Sequence, residues 1–258
     1  MSARAQVRAY VRAGLAASSS AALFSALQVD KLVRPLEGTP DDERKDPYVQ
    51  AWARSLLRIL GVERINAEKA PQMSPSDAAI AGRVVVSNHR SALDILLMLD
   101  LFGGHLLARG DMAGWPVMGT LAREAGTLFV DRKDPSSGAG AVQRVRSRLR
   151  AGRTITVFPE GTTHLGDEVW PFHPGAFVAA AREKVPVLPV GLAYENVDAC
   201  FGDEPAGAHG KRLLAAERTR VAVAIGAPIA SRGMSLSSLR DRAHDEVQTL
   251  VRRARSAL

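Results

Sequence analysis

From Arg83 to Gly226, short apolar and β-branched runs alternate with stretches patterned for helix, and few folds accept that order. RVVVS (83–87), HLLAR (105–109), TLFVD (127–131), TITVF (154–158), VPVLPVGLA (185–193) and RVAVAIG (220–226) are each bounded by turn residues and read as strands. Helical patterns lie between them at Asp94 to Phe102, Pro116 to Ala125, Gly138 to Ala151 and Gly175 to Lys184, and a last helix runs from about Leu236 to Ala257. This alternation predicts an α/β fold with a mixed, mainly parallel sheet flanked by helices. Pro186 and Pro189 place VPVLPVGLA at a sheet edge or in an irregular, ligand-lining segment, because proline brings no N–H to a central ladder.

The first 62 residues are patterned differently. Ala13 to Val29 is uncharged, and Arg4, Arg8 and Arg12 before it recur every fourth residue, along one helical face. A secretory leader also starts basic, but Ser18, Ser19 and Ser20 interrupt this apolar stretch. It is also shorter than the roughly 20 apolar residues of a membrane span. Two readings stay open: an amphipathic helix lying in a membrane interface, or a packed helix of a soluble domain. Asp30 to Pro47 is polar, contains Pro35, Pro40 and Pro47, and reads as a linker. In YVQAWARSLLRILG, Val49, Trp52, Leu56, Ile59 and Leu60 recur at helical spacing, with Arg54 and Arg58 opposite. That second helix suits either a cover over a sheet or a lipid interface. The expected organisation is thus a helical membrane-associating region with a polar linker over 1–62 and an α/β domain over 63–258.

The formal charge is +7, and only six of the 34 basic residues are lysine. Such a balance favours an anionic partner: nucleic acid, a phospholipid surface, a phosphorylated substrate or an acidic carrier protein. Nucleic acid fits worst, since aromatic interleaving and recognised motifs are both missing. The arginine-rich stretch QRVRSRLRAGR (143–153) suits anionic headgroups or an acidic carrier, or simply a solvated face. Cys200 stands alone, which excludes a disulfide framework and zinc-type spacing, so no metal centre is expected.

SNHRSALDILL (87–97) puts a histidine and an aspartate where RVVVS ends, and functional groups of α/β sheets collect where strands finish. An imidazole there can accept a proton near neutral pH, and a carboxylate on its other nitrogen fixes the tautomer. On one regular helix His89 and Asp94 would point about 140° apart. They meet only across a turn, which Asn88 and Ser91 favour. Equally, Ser91 to Asp94 matches a helix-capping pattern that needs no catalysis.

Three further stretches follow in order: GTLFVDR (126–132), FPEGT (158–162) and VPVLPV (185–190). With NHRSALD (88–94), these four blocks resemble the glycerophospholipid acyltransferase family, the PlsC-like enzymes, over roughly Trp52 to Gly226. The resemblance implies an enzyme that moves a fatty acyl group from acyl-CoA or acyl carrier protein to the free hydroxyl of a lysophospholipid, foremost 1-acylglycerol-3-phosphate. It implies His89 as general base and Asp94 as its positioning carboxylate, with neither cofactor nor metal. Arg132 matches the acceptor-binding arginine, Arg109 stands where relatives often carry lysine, and Glu160, Gly161 and Thr162 match the block holding the acceptor's polar head. Backbone N–H groups near Gly161 or Val187 are candidates for stabilising the oxyanion. It further implies a peripheral or monotopic location on the cytoplasmic face of the cell membrane. Two departures stand out: Thr163 and His164 replace the Arg-Ser that follows FPEGT in many lysophosphatidic acid users, and His173 replaces the lysine of PFKxG. They open a different acceptor, such as a lyso-ornithine lipid. A non-catalytic lipid-surface protein on the same fold is the alternative of another class.

Overall fold

A computed structural model describes residues 2–33, 41–66, 82–114, 118–130 and 135–258. Among these residues a seven-stranded sheet forms from β1 (Val62–Asn66), β2 (Arg83–Ser87), β3 (His105–Arg109), β4 (Leu128–Val130), β5 (Thr154–Val157), β6 (Val187–Tyr194) and β7 (Thr219–Ile225). Their spatial order is β1-β7-β6-β2-β5-β3-β4, and every neighbouring pair is parallel except β6 with β7. The α/β expectation is met, with helices α1 (Ala3–Val33), α2 (Asp41–Ile59), α3 (Leu93–Phe102), α4 (Met118–Glu124), α5 (Pro135–Arg150), α6 (Gly175–Glu183), α7 (Ala206–Ala215) and α8 (Leu236–Ser256) around the sheet.

Alternation along β2 divides the core. Val84 and Val86 point into one layer with Ile155, Leu149, Phe177, Leu239 and Val247, whereas Val85 points into the other with Leu93, Leu97, Trp52 and Leu27. Both layers are lined by buried apolar side chains, which is why the interior strands read as continuous apolar runs instead of half-polar ones. At Gly191 the α8 backbone comes so close to β6 that a Cβ would lie 2.3 Å from the Leu250 carbonyl carbon, so only glycine fits.

The prolines of VPVLPVGLA do not mark an edge. β6 lies between β2 and β7 and is buried along its whole length. Pro186 precedes the strand, and Pro189 sits where pairing with β7 slips by one residue, from Val187 opposite Ile229 to Val190 opposite Ile225. The missing N–H falls at this bulge, while the Pro189 carbonyl still accepts from Gly226 N at 2.9 Å. Strand β1 and helix α7 had no sequence expectation; of the expected linker Asp30 to Pro47, residues 30–33 belong to α1 and 41–47, Pro47 included, to α2, while 34–40 fall outside the described residues.

The N-terminal helix is two-faced. Two of its serines turn toward α2: Ser20 Oγ accepts from Trp52 Nε1 at 3.1 Å, and Ser19 meets Ser55 at 3.2 Å. Trp52 is therefore a core residue and does not face an interface. Arg8 Nε donates to the Ala215 carbonyl at 3.0 Å, and Arg12 donates to the carbonyls of Leu214, Ala216 and Glu217. These arginines neutralise the carbonyl end of α7. Between them α1 leaves Val7, Tyr10, Val11, Leu15, Val29 and Leu32 on the outside, with Val7 62% and Leu32 81% exposed. No helix among the described residues is long and apolar enough to cross a membrane.

Candidate active site

Because β2, β3, β4, β5 and β6 share one direction through their parallel pairings, their C-terminal ends gather at one edge of the sheet. The residues that follow β2, β5 and β6 come from distant parts of the chain, and this edge is where they meet.

Asn88 begins the site. Its side-chain amide donates to the Leu192 carbonyl at 2.9 Å and accepts from Leu192 N at 2.8 Å, so it continues the β2–β6 pairing one step after β2 has ended. The main chain is thereby free to turn away, and His89 is delivered at the rim with 18% of its side chain exposed. The imidazole stacks on Phe158, centroids 4.1 Å apart and planes 12° apart, which fixes its plane.

Asp94 is fully buried in the first turn of α3, and its Oδ2 lies 2.9 Å from His89 Nδ1. The same oxygen accepts from Arg90 N at 2.6 Å and Ser91 N at 2.8 Å. The capping reading and the catalytic reading thus describe one carboxylate. It satisfies the N–H groups ahead of the helix and, through the same oxygen, is placed to hold a hydrogen on Nδ1. Nε2 is left bare at the rim, without a bonding partner among the described residues. Oδ1 of Asp94 accepts from the Tyr194 phenol at 2.5 Å.

Behind the imidazole sits a second carboxylate. Glu160 Oε1 accepts from His89 N and from Arg90 Nη1, each at 2.8 Å; Oε2 accepts from Trp170 N at 2.7 Å and meets His164 Nε2 at 2.6 Å. Its side chain has no exposed surface. With both oxygens occupied by protein groups, Glu160 clamps the FPEG turn to the His89 loop. Arg90 completes the clamp through the carbonyls of His89, Gly166 and Glu168 at 2.7–2.8 Å. Gly161 has φ +81°, in the left-handed region that ends the turn, and exposed Thr162 follows at the rim.

Other expected residues divide as follows. Arg109 closes β3, in register with Val130 of β4, so its backbone lies at the same edge. Arg132 falls outside the described residues. The candidate oxyanion donors are spent elsewhere: Gly161 N donates to the Phe158 carbonyl at 3.1 Å and Val187 N to the Ile229 carbonyl at 2.9 Å. His164, one of the departures from the family pattern, faces inward, stacked on Trp170 with centroids 4.0 Å apart. Among the described residues no cluster of three or more metal-ligating side chains occurs.

Sequence reasoning missed Arg90, Tyr194 and His209. His209 is buried under the His89 loop, its Nε2 accepting from Ala92 N at 3.3 Å and lying 3.4 Å from Ser91 Oγ. Burial, and then the charge of Arg212, lower its pKa below the ordinary histidine value, consistent with a neutral ring that accepts. Burial above all, and then the charge of Asp94, push the Cys200 thiol up to about 11, so it is an inert neighbour.

Comparison with known proteins agrees with this arrangement. Residues 61–193 match the family model described as Acyltransferase. The lyso-ornithine lipid O-acyltransferase of Pseudomonas aeruginosa is 35% identical over 171 residues, covering 63% of this chain and 65% of that protein. The 1-acyl-sn-glycerol-3-phosphate acyltransferase of Neisseria meningitidis is 32% identical over 164 residues, covering 64% of this chain and 62% of that one. The matched part thus spans a little less than two thirds of these relatives' length. The crystal structure of the 1-acyl-sn-glycerophosphate (LPA) acyltransferase PlsC from Thermotoga maritima superimposes with TM-score 0.71 over 99% of this chain and 98% of that one, at 20% identity, which is a likeness of fold. The family match takes in β2, β5 and most of β6, the strands that set His89, Glu160 and Asp94 side by side; this chain belongs to the acyltransferase family.

Proposed function

We propose that this protein is a lysolipid O-acyltransferase, moving a fatty acyl group from a thioester of coenzyme A or acyl carrier protein to the free hydroxyl of a lysolipid. The observation that carries the reading is the bare Nε2 of His89 at an open rim, with Nδ1 held by the buried Asp94. Nε2 takes the hydroxyl proton as the oxygen attacks the thioester carbonyl. The C–O bond forms, the C–S bond breaks, and the leaving thiolate recovers the proton from the imidazolium. No acyl-enzyme is required. A positioned base supplies about 10²–10⁴-fold of the rate, and the remainder comes from orientation and charge stabilisation.

The substrate and product are lipids, and the outward apolar residues of α1 give the protein a means of resting on a bilayer, at the cytoplasmic face where thioester donors are found. Arg109 and Arg132, at or beyond the ends of β3 and β4, are the residues proposed to meet the acceptor's anionic group, with Gly161 and Thr162 beside them. For the acceptor two readings stand. Lysophosphatidic acid is the simplest, and lyso-ornithine lipid is favoured by the inward-turned His164, which adds no cation at the rim after FPEGT.

The test is direct. Purified protein is incubated with palmitoyl-CoA and a panel of lysolipids that includes both acceptors, and the products are identified by mass spectrometry. Ester formation with stoichiometric release of free thiol is expected. Liposome binding without turnover on any acceptor would instead support a non-catalytic lipid-surface protein.

A further inference from the structure

We infer that Tyr194 is a positioning residue of the acyl-transfer centre, whose phenol occupies the second oxygen of Asp94 and sets how strongly that carboxylate holds a proton on His89. The inference rests on the proposed role of His89 as base.

Tyr194 is the last residue of β6, which the parallel pairing with β2 brings to the same edge as His89. It is 2% exposed and has no route to a substrate. Its hydroxyl donates to Asp94 Oδ1 at 2.5 Å, while Oδ2 serves His89 Nδ1 and the N–H groups of Arg90 and Ser91. Beneath the pair, the Ser91 hydroxyl lies 3.4 Å from His209 Nε2. Burial, and then the charge of Asp94, raise the phenol's pKa well above its ordinary value, so it keeps its proton and remains a donor.

The consequence is electrostatic. Each donor on a carboxylate lowers that carboxylate's affinity for a further proton or cation. With His89 on Oδ2, a phenol on Oδ1 draws charge away without competing for the imidazole. Asp94 then orients the ring but does not trap it as imidazolium, and a base that already carries its proton cannot deprotonate an alcohol. Deleting the hydroxyl concentrates the charge on Oδ2 and favours the protonated ring.

Other ionisable groups around the pair are Arg90 and Glu160 with His164 behind them, Cys200, His209, and Arg255, whose guanidinium donates to the Tyr194 carbonyl and pairs with Asp167. Because His164 and His209 can also titrate, the pH profile is recorded in His164→Gln and His209→Gln backgrounds as well as in the wild-type chain.

The experiment measures kcat and KM against pH for the full-length protein and Tyr194→Phe, with palmitoyl-CoA and whichever lysolipid the wild type acylates. The acid limb of kcat/KM is expected to move up by about half to one pH unit, with plateau kcat and acceptor KM little changed. In an Asp94→Asn background, Tyr194→Phe should add nothing further, since the phenol acts through the carboxylate. Should Tyr194→Phe fold poorly, uniform replacement of the three tyrosines by 3-fluorotyrosine, a stronger donor, should move the limb downward. Superimposable profiles, or a rise in KM without a moved limb, overturn the inference. If His89→Ala is inactive in that same assay, the base role survives such a result. A fully active His89→Ala removes the base role, and this inference with it.

Discussion

Glu160 and Glu183 are both carboxylates gripped by arginine, and they use that grip in opposite ways. Glu160 has no exposed surface and gathers Arg90, His164 and two backbone N–H groups from three segments of the chain. Glu183, at the end of α6, accepts from Arg146 and Arg150 of α5, and Arg150 is 60% exposed. There the hydrogen bond from Arg150 lowers the pKa of Glu183, but water and salt compete for the same charges. The α5–α6 contact is held by Val145, Leu149, Phe177 and Ala180, and the ion pairs lie over it. At Glu160 two turns of irregular chain are kept in register beneath His89, and a buried, fully bonded ion pair does this. The arginine-rich stretch that suggested a docking surface is also largely committed, with Arg144 donating to the Phe129 carbonyl and Arg146 and Arg150 to Glu183.

The contrast breaks most visibly at Arg90. Arg90→Ala strands the Glu160 charge in the interior and should cost about 3–5 kcal/mol in urea unfolding, whereas the double replacement Arg90→Met with Glu160→Gln should cost less than the single one. A cost for Arg90→Ala no greater than that for Arg150→Ala would erase the distinction. Salt sharpens it next. Added NaCl should shrink the stability difference between Glu183→Gln and the wild type, and leave that of Glu160→Gln nearly unchanged, because screening does not reach a sealed pair. Thermal midpoints at low and high salt read this directly.

The smallest effect concerns His209, a buried polar group beneath the His89 loop. Its pKa is depressed in the folded chain, mainly by burial, so below the unfolded value of about 6.5 the unfolded chain binds more protons than the folded one. Its stabilising contribution is complete above that pH and is lost as pH falls through the folded value. His209→Gln should therefore lose less stability than the wild type between pH 7 and 5, as followed by urea midpoints. Parallel losses would show that the ring takes up its proton equally in both states.

What the sequence disclosed and what it hid differ by range. RVVVS, HLLAR and TITVF announced their strands because β-branched and apolar runs bounded by turns carry the pattern locally. His89 and Asp94 were legible because they lie five residues apart in a recognisable block, and the turn needed to join them was visible in Asn88 and Ser91. Helix α7, AGAHGKRLLA, was not, since its glycines and polar residues weaken the helical pattern that burial of His209 and Leu213 restores. Arg90, Tyr194 and His209 were hidden for a deeper reason: their partners are 70, 100 and 118 residues away, and no local spacing records such contacts. The prolines of β6 misled because a bulge, which only the β7 register reveals, absorbs the missing donor.

The central claim is that the bare nitrogen of His89, turned by Asp94, removes the acceptor's proton. Initial rates of acyl transfer from palmitoyl-CoA, measured for the wild type and His89→Ala at matched urea midpoints, test it most directly. The account predicts a fall of about 10²–10⁴-fold with the fold intact; a variant that transfers acyl groups at the wild-type rate would contradict it.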